Sequence, residues 1–308
     1  MFFHLPCFVI LAHKIPKMIP NKLSVIAQKQ TIKTKKMKKS ILILSILTTL
    51  LPLTALCQQG WLPPESTTSV EEGIMTVSSP AGWRYVGTQE DGSVAVADVG
   101  ADGTISCTCN SSGKCMPFKG SSTIGGSTSG CAGSCTNCTM LQSVVSGGID
   151  VNIKEGGYYN PNLETVVIAS EDKYPSVFAA LTQLPAFQTK LQEFYENAYN
   201  GQPIVEMTDV DGEISAPDGY SLLCIAIMGR GLLVIVPDSY AIAMVGSDVN
   251  ASASCSCTKG NCKLESGSIG LASAKWCDGS CTGTCSLTTS VNPSDGQQYA
   301  VELIHYSY

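Results

Sequence analysis

Twelve cysteines fall into two groups of six whose spacings nearly superimpose. The first group is Cys107, Cys109, Cys115, Cys131, Cys135 and Cys138, and the second is Cys255, Cys257, Cys262, Cys277, Cys281 and Cys285. As patterns they read C-x-C-x5-C-x15-C-x3-C-x2-C and C-x-C-x4-C-x14-C-x3-C-x3-C, so matched cysteines lie 146 to 148 residues apart. The pattern predicts a duplicated module. Around these cysteines the chain is mostly Gly, Ser, Thr and Asn, and residues 110–138 offer only Met116, Phe118 and Ile124 as sizeable apolar groups. Burial alone cannot offset the ordering entropy of such a segment. Covalent or metal staples are required to fix it.

Compartment decides between the two kinds of staple. Lys35, Lys36, Lys38 and Lys39 precede an apolar run, Ile41 to Leu56, that has the form of a secretory signal. At 16 residues with Pro52 inside it, the run falls short of the roughly 20 apolar residues of a spanning helix, so no stable span is expected in the mature chain. Ala55-Leu56-Cys57 places the cut before Gln58, while lipidation at Cys57 is the minor alternative, disfavoured by the bulky Leu56. The expected location is secreted or periplasmic. Residues 1–57 hold nine of the 19 Lys and Arg and none of the 25 acidic residues, which leaves the rest of the chain at −15. That charge repels nucleic acid and anionic membranes. The partners to expect are extracellular proteins or glycans.

The correspondence extends beyond the cysteines. Pro80-Ala81-Gly82-Trp83 and Pro217-Asp218-Gly219-Tyr220 form matching P-x-G-aromatic turns ahead of the two groups. In the first copy, short β-rich runs separated by Glu90-Asp91-Gly92 and Asp102-Gly103 lead to Cys107. In the second, Ser221 to Met228, Leu232 to Val236 and Tyr240 to Val245 read as strands, the first two apolar on both faces and so deeply buried. The Gly-to-cysteine interval is 36 residues there against 25 in the first copy, which suggests an extra hairpin. Between the copies, Phe187, Leu191, Phe194, Tyr195 and Ala198 recur at helical spacing after Pro185, with Asn200-Gly201 as the stop. A shorter helix is expected from Pro175 to about Gln183.

The fold class expected is β-rich α+β. Duplicated small antiparallel sheets each carry a six-cysteine, disulfide-stapled loop region, with one or two helices between the copies. The corresponding bounds are an N-terminal extension and signal over 1–57, a linker over 58–78, a first cysteine-rich β module over 79–153, a helical connecting element over 154–213 and a second module over 214–308.

Six cysteines per module in an exported protein favour disulfides, although 15 pairings per module are possible. Zinc or a thiolate cluster is the chemical rival. Cys135-Thr136-Asn137-Cys138 has the spacing of a redox dithiol, but no helix N-terminus follows to lower a thiol pKa. Cys224 lies outside both groups and reads as a buried free thiol. Asp209-Val210-Asp211-Gly212-Glu213 looks calcium-like yet lacks the third loop ligand, and reads as a hairpin turn. His305 is the only histidine beyond the signal and reads as a strand or surface residue. No catalytic residue, cofactor or metal site is assigned at this level. The function expected is that of a secreted disulfide-rich binding or structural protein; alternatives are a metal-binding protein using the six-cysteine groups, or an enzyme with a carboxylate site not located in the sequence.

Overall fold

Glycine-containing turns fix where the strands begin and end. Trp83 N–H donates to the Pro80 carbonyl and Tyr220 N–H to that of Pro217, both at 3.1 Å, with Gly82 and Gly219 at φ of +87° and +85°. Positive φ at this third position is what a type II turn demands, hence glycine in both copies. Glu72-Gly73, Asp211-Gly212 and Met228-Gly229 have positive φ at both residues, the requirement of the two-residue hairpin turn that matches strand twist.

The structure, a computed structural model, describes residues 57–168, 172–245, 250–258, 260–269, 272–279, 285–292 and 299–306. Residues 1–56, where a secretory signal is expected, and Cys281 lie outside the described residues. Among the described residues three sheets have five or more strands, and two of them correspond between the copies. One runs Ile149–Ile153, Cys138–Ser146, Gly103–Cys109, Ile74–Ser78, Thr67–Glu71. The other runs Lys173–Pro175, Tyr299–His305, Cys285–Asn292, Asn250–Cys257, Glu213–Ser215, Thr208–Val210. Strand for strand the orders agree, apart from the added edge strand Lys173–Pro175, which pairs in parallel with Tyr299–His305.

Each of these two sheets is accompanied by a cysteine-bearing hairpin: Cys115–Ser121 with Ser127–Gly133, and Lys263–Ile269 with Ala272–Asp278. The neighbour of each hairpin differs. Ser127–Gly133 takes Cys57–Leu62 as its second partner, whereas Ala272–Asp278 meets Arg230–Pro237. Residues 58–78, expected to be a linker, therefore hold most of one strand and two more, Thr67–Glu71 and Ile74–Ser78. Residues 57–62 are too few and too polar to announce a strand; an otherwise open sheet edge recruits them.

The connecting region is likewise more than helical. Glu155–Tyr159 pairs with Arg84–Thr88, and Val166–Ile168 pairs with Tyr220–Ile227. Helix Pro185–Tyr199 buries Phe187, Leu191, Phe194, Tyr195, Ala198 and Tyr199, and ends at Asn200, which adopts the left-handed conformation. Its apolar stripe joins one core with Leu223, Ile225, Leu232 and Val234 of the hairpin Tyr220–Ile227/Arg230–Pro237. Tyr199 Oη donates to the Ile235 carbonyl at 3.2 Å. The preceding helix is short, Ala179–Thr182.

Tyr240 to Val245, expected to be a strand, belongs instead to helix Asp238–Val245, so the extra length of the second copy holds a helix rather than a hairpin. A six-residue apolar run has no period long enough to separate the two states. Asp238 settles it by lying in the first turn, where a carboxylate favours the helix N-terminus, and it also accepts a hydrogen bond from Ser221 Oγ at 2.6 Å.

The two halves share their cores. Ile304 and Tyr306 from the last strand region pack with Trp61, Tyr85 and Ile105, and Tyr306 Oη lies 2.9 Å from Ser122 Oγ. Arg230, 3% exposed, donates from Nε to the Tyr158 carbonyl at 2.6 Å and from Nη1 to the Ser176 carbonyl at 3.3 Å. Its guanidinium also stacks over Trp61 and Phe178 at 4.8 and 5.0 Å. Among the described residues no helix is long and apolar enough to cross a membrane.

Candidate functional site

In the first group Cys107 bonds Cys131, Cys109 bonds Cys135 and Cys115 bonds Cys138, with Cα separations of 5.7, 5.8 and 6.0 Å. In the second, Cys255 bonds Cys277 and Cys262 bonds Cys285, at 5.6 and 5.7 Å. Cys257 is disulfide-bonded too. The order in the first group is first to fourth, second to fifth, third to sixth, and the described pairs of the second follow it. Strand geometry explains the pattern. Residues two apart on a strand project to the same face, so Cys107 and Cys109 present two sulfurs side by side to two different partners. The bonds fasten each hairpin and its flanking loop to the larger sheet.

This pairing removes two of the alternatives at the described cysteines. Sulfurs held in disulfides are not thiolates, so the approach of Cys107, Cys115 and Cys131 to one another provides no thiolate cluster. Cys135 and Cys138 are bonded to Cys109 and Cys115 rather than to each other, so this C-x-x-C is two staples and not one dithiol. Cys224 is a buried free thiol whose pKa burial pushes up to about 12, with Thr289 Oγ1 at 3.5 Å. A thiol so protonated and enclosed is unreactive.

The calcium-like stretch folds as a turn, in which Asp209 Oδ1 accepts from Gly212 N–H at 3.1 Å. Asp211 and Glu213 border an open groove of about 770 Å³ that also touches Ser254, Cys255 and Lys263.

A second constellation has no local sequence signature. Glu155 begins the strand Glu155–Tyr159, Asp278 ends Ala272–Asp278 and His305 ends Tyr299–His305. One ligating atom from each lies within 4.8 Å of the other two. His305 Nε2 is 3.3 Å from Asp278 Oδ1, which also accepts from Gly279 N–H at 2.6 Å. The His305 side chain is 4% exposed and that of Asp278 27%, so the cluster opens to solvent on the Asp278 side. Glu155 Oε1 is buried without a hydrogen-bond partner. Burial first, and the Asp278 charge second, hold the Glu155 carboxyl above the usual range. For His305 burial wins and lowers its pKa, helped by the Arg230 charge and opposed by Asp278 and a hydrogen bond to the Val177 backbone.

Nothing in the sequence marks Glu155 or Asp278, and His305, expected as a strand or surface residue, ends a strand with its side chain buried. One signal was available: a lone histidine at the end of an apolar strand is a costly residue to bury without a polar partner. Comparison with protein families, with curated proteins and with solved structures finds no match to this chain.

Proposed function

We propose that the protein is exported and acts outside the cytoplasm as a disulfide-stapled structural or binding protein, with extracellular proteins or glycans as its partners. The carrying observation is that segments with almost no apolar content are held as ordered strands through paired cysteines, an economy that works only where disulfides persist. The acidic composition beyond the signal supports a soluble, low-adhesion surface.

The test is production from the full chain followed by fractionation and intact-mass measurement with alkylation. The exported form is expected to begin at Gln58 and to carry one thiol, Cys224, which alkylates only after unfolding without reductant. An N-terminus at acylated Cys57 would keep the export reading and replace release with anchoring. Retention of the uncleaved chain in the cytoplasm, or alkylation of twelve or more cysteines without reductant, would overturn it. A metal-binding reading is favoured by one observation, the convergence of Glu155, Asp278 and His305, rather than by the cysteines.

A further inference from the structure

We infer that Glu155, Asp278 and His305 bind one divalent transition-metal ion of the zinc type, which ties the strand paired with Arg84–Thr88 to the second module. The donor set is one imidazole nitrogen and two carboxylate oxygens, a combination suited to zinc and its neighbours. Calcium wants about six to eight oxygen ligands and fits poorly. Bonds of roughly 2.0–2.2 Å in a tetrahedral arrangement place donor atoms about 3.3–3.6 Å apart. The His305–Asp278 pair already stands at 3.3 Å, and all three donors lie within 4.8 Å, so closing on an ion asks only small side-chain rotations.

The surroundings are those of a ligand set. Gly279 N–H fixes one oxygen of Asp278. Glu155 Oε1, buried and without a hydrogen-bond partner, is an acceptor whose desolvation a cation would compensate. Lys154 is exposed, whereas Arg230 keeps its charge near His305, because the Tyr158 and Ser176 carbonyls it donates to are neutral; the carboxylates of Glu155 and Asp278 are the negative charges that offset it for a cation. The partly exposed Asp278 gives the cluster access to solvent, the source of a fourth ligand. No cysteine takes part, and the inference stands whether or not the protein is exported.

The experiment uses untagged, disulfide-intact protein, stripped with chelator and dialysed, and titrated with zinc by calorimetry alongside elemental analysis. One zinc per chain is expected, with a rise in melting temperature and no comparable response to calcium. Glu155→Gln and Asp278→Asn keep side-chain shape and should each weaken zinc binding by roughly 100-fold or more, at the upper end of what even supporting residues contribute. His305→Ala should abolish it. An unchanged disulfide map certifies that each variant has folded. Failure of the wild-type protein to take up zinc, or undiminished binding in Glu155→Gln and Asp278→Asn, would overturn the assignment; so would zinc that binds only after the cysteines are reduced.

Discussion

Replacing Arg230 with alanine is expected to cost about 3–7 kcal/mol of unfolding free energy, measured by urea denaturation with the disulfides intact. The estimate follows from what the guanidinium touches. Two buried carbonyls, those of Tyr158 and Ser176, lose their donor, at about 1–3 kcal/mol each. Stacking over Trp61 and Phe178 adds about 1 kcal/mol. Arg230→Lys should recover only part of the loss, because a single ammonium cannot reproduce the planar fork that serves both carbonyls. Since Trp61 precedes the first cysteine group, Tyr158 lies on the strand paired with Arg84–Thr88 and Arg230 leads into the second cysteine group, both modules should loosen in one transition. A loss below about 1 kcal/mol would mean that the side chain is not the tie described here.

Reduction is expected to have the other large effect. Each disulfide closes a loop of 22 to 26 residues, and three such staples at about 2–4 kcal/mol each rival the whole stability of an ordinary domain. Amide hydrogen exchange after reduction should show protection lost over residues 107–138 and 255–285. Protection should persist longest in Tyr220–Ile227 and Arg230–Pro237, which are buried along nearly their whole length and packed by helix Pro185–Tyr199. Unchanged protection across residues 115–133 in fully reduced protein would show that these strands hold themselves without the staples.

What the sequence reveals is what local chemistry dictates. The spacing of the cysteines, the P-x-G turns at Gly82 and Gly219, the helical stripe from Phe187 to Ala198 and the doubly apolar strands after Tyr220 each need only their own neighbours to be read. Cys57–Leu62 is different: it becomes a strand because the hairpin Cys115–Gly133 offers an open edge, and nothing within six residues says so. Arg230 breaks an apolar run in the sequence, which excludes a membrane span, but its buried role depends on carbonyls 72 and 54 residues away. The Glu155, Asp278 and His305 cluster is assembled from three strand ends far apart along the chain, so no motif could announce it. Polar residues brought together by topology are invisible to spacing, whereas staples that act on the unfolded chain leave their pattern in it.

The most direct measurement of the central claim is a disulfide map from proteolysis under non-reducing, acidic conditions that suppress exchange. The expected cross-linked peptides join Cys107 to Cys131, Cys109 to Cys135, Cys115 to Cys138, Cys255 to Cys277 and Cys262 to Cys285. By the order of the first group, Cys257 should be found with Cys281, and Cys224 in no bond at all. A peptide linking the first group of six to the second, or Cys224 in a bridge, would contradict it.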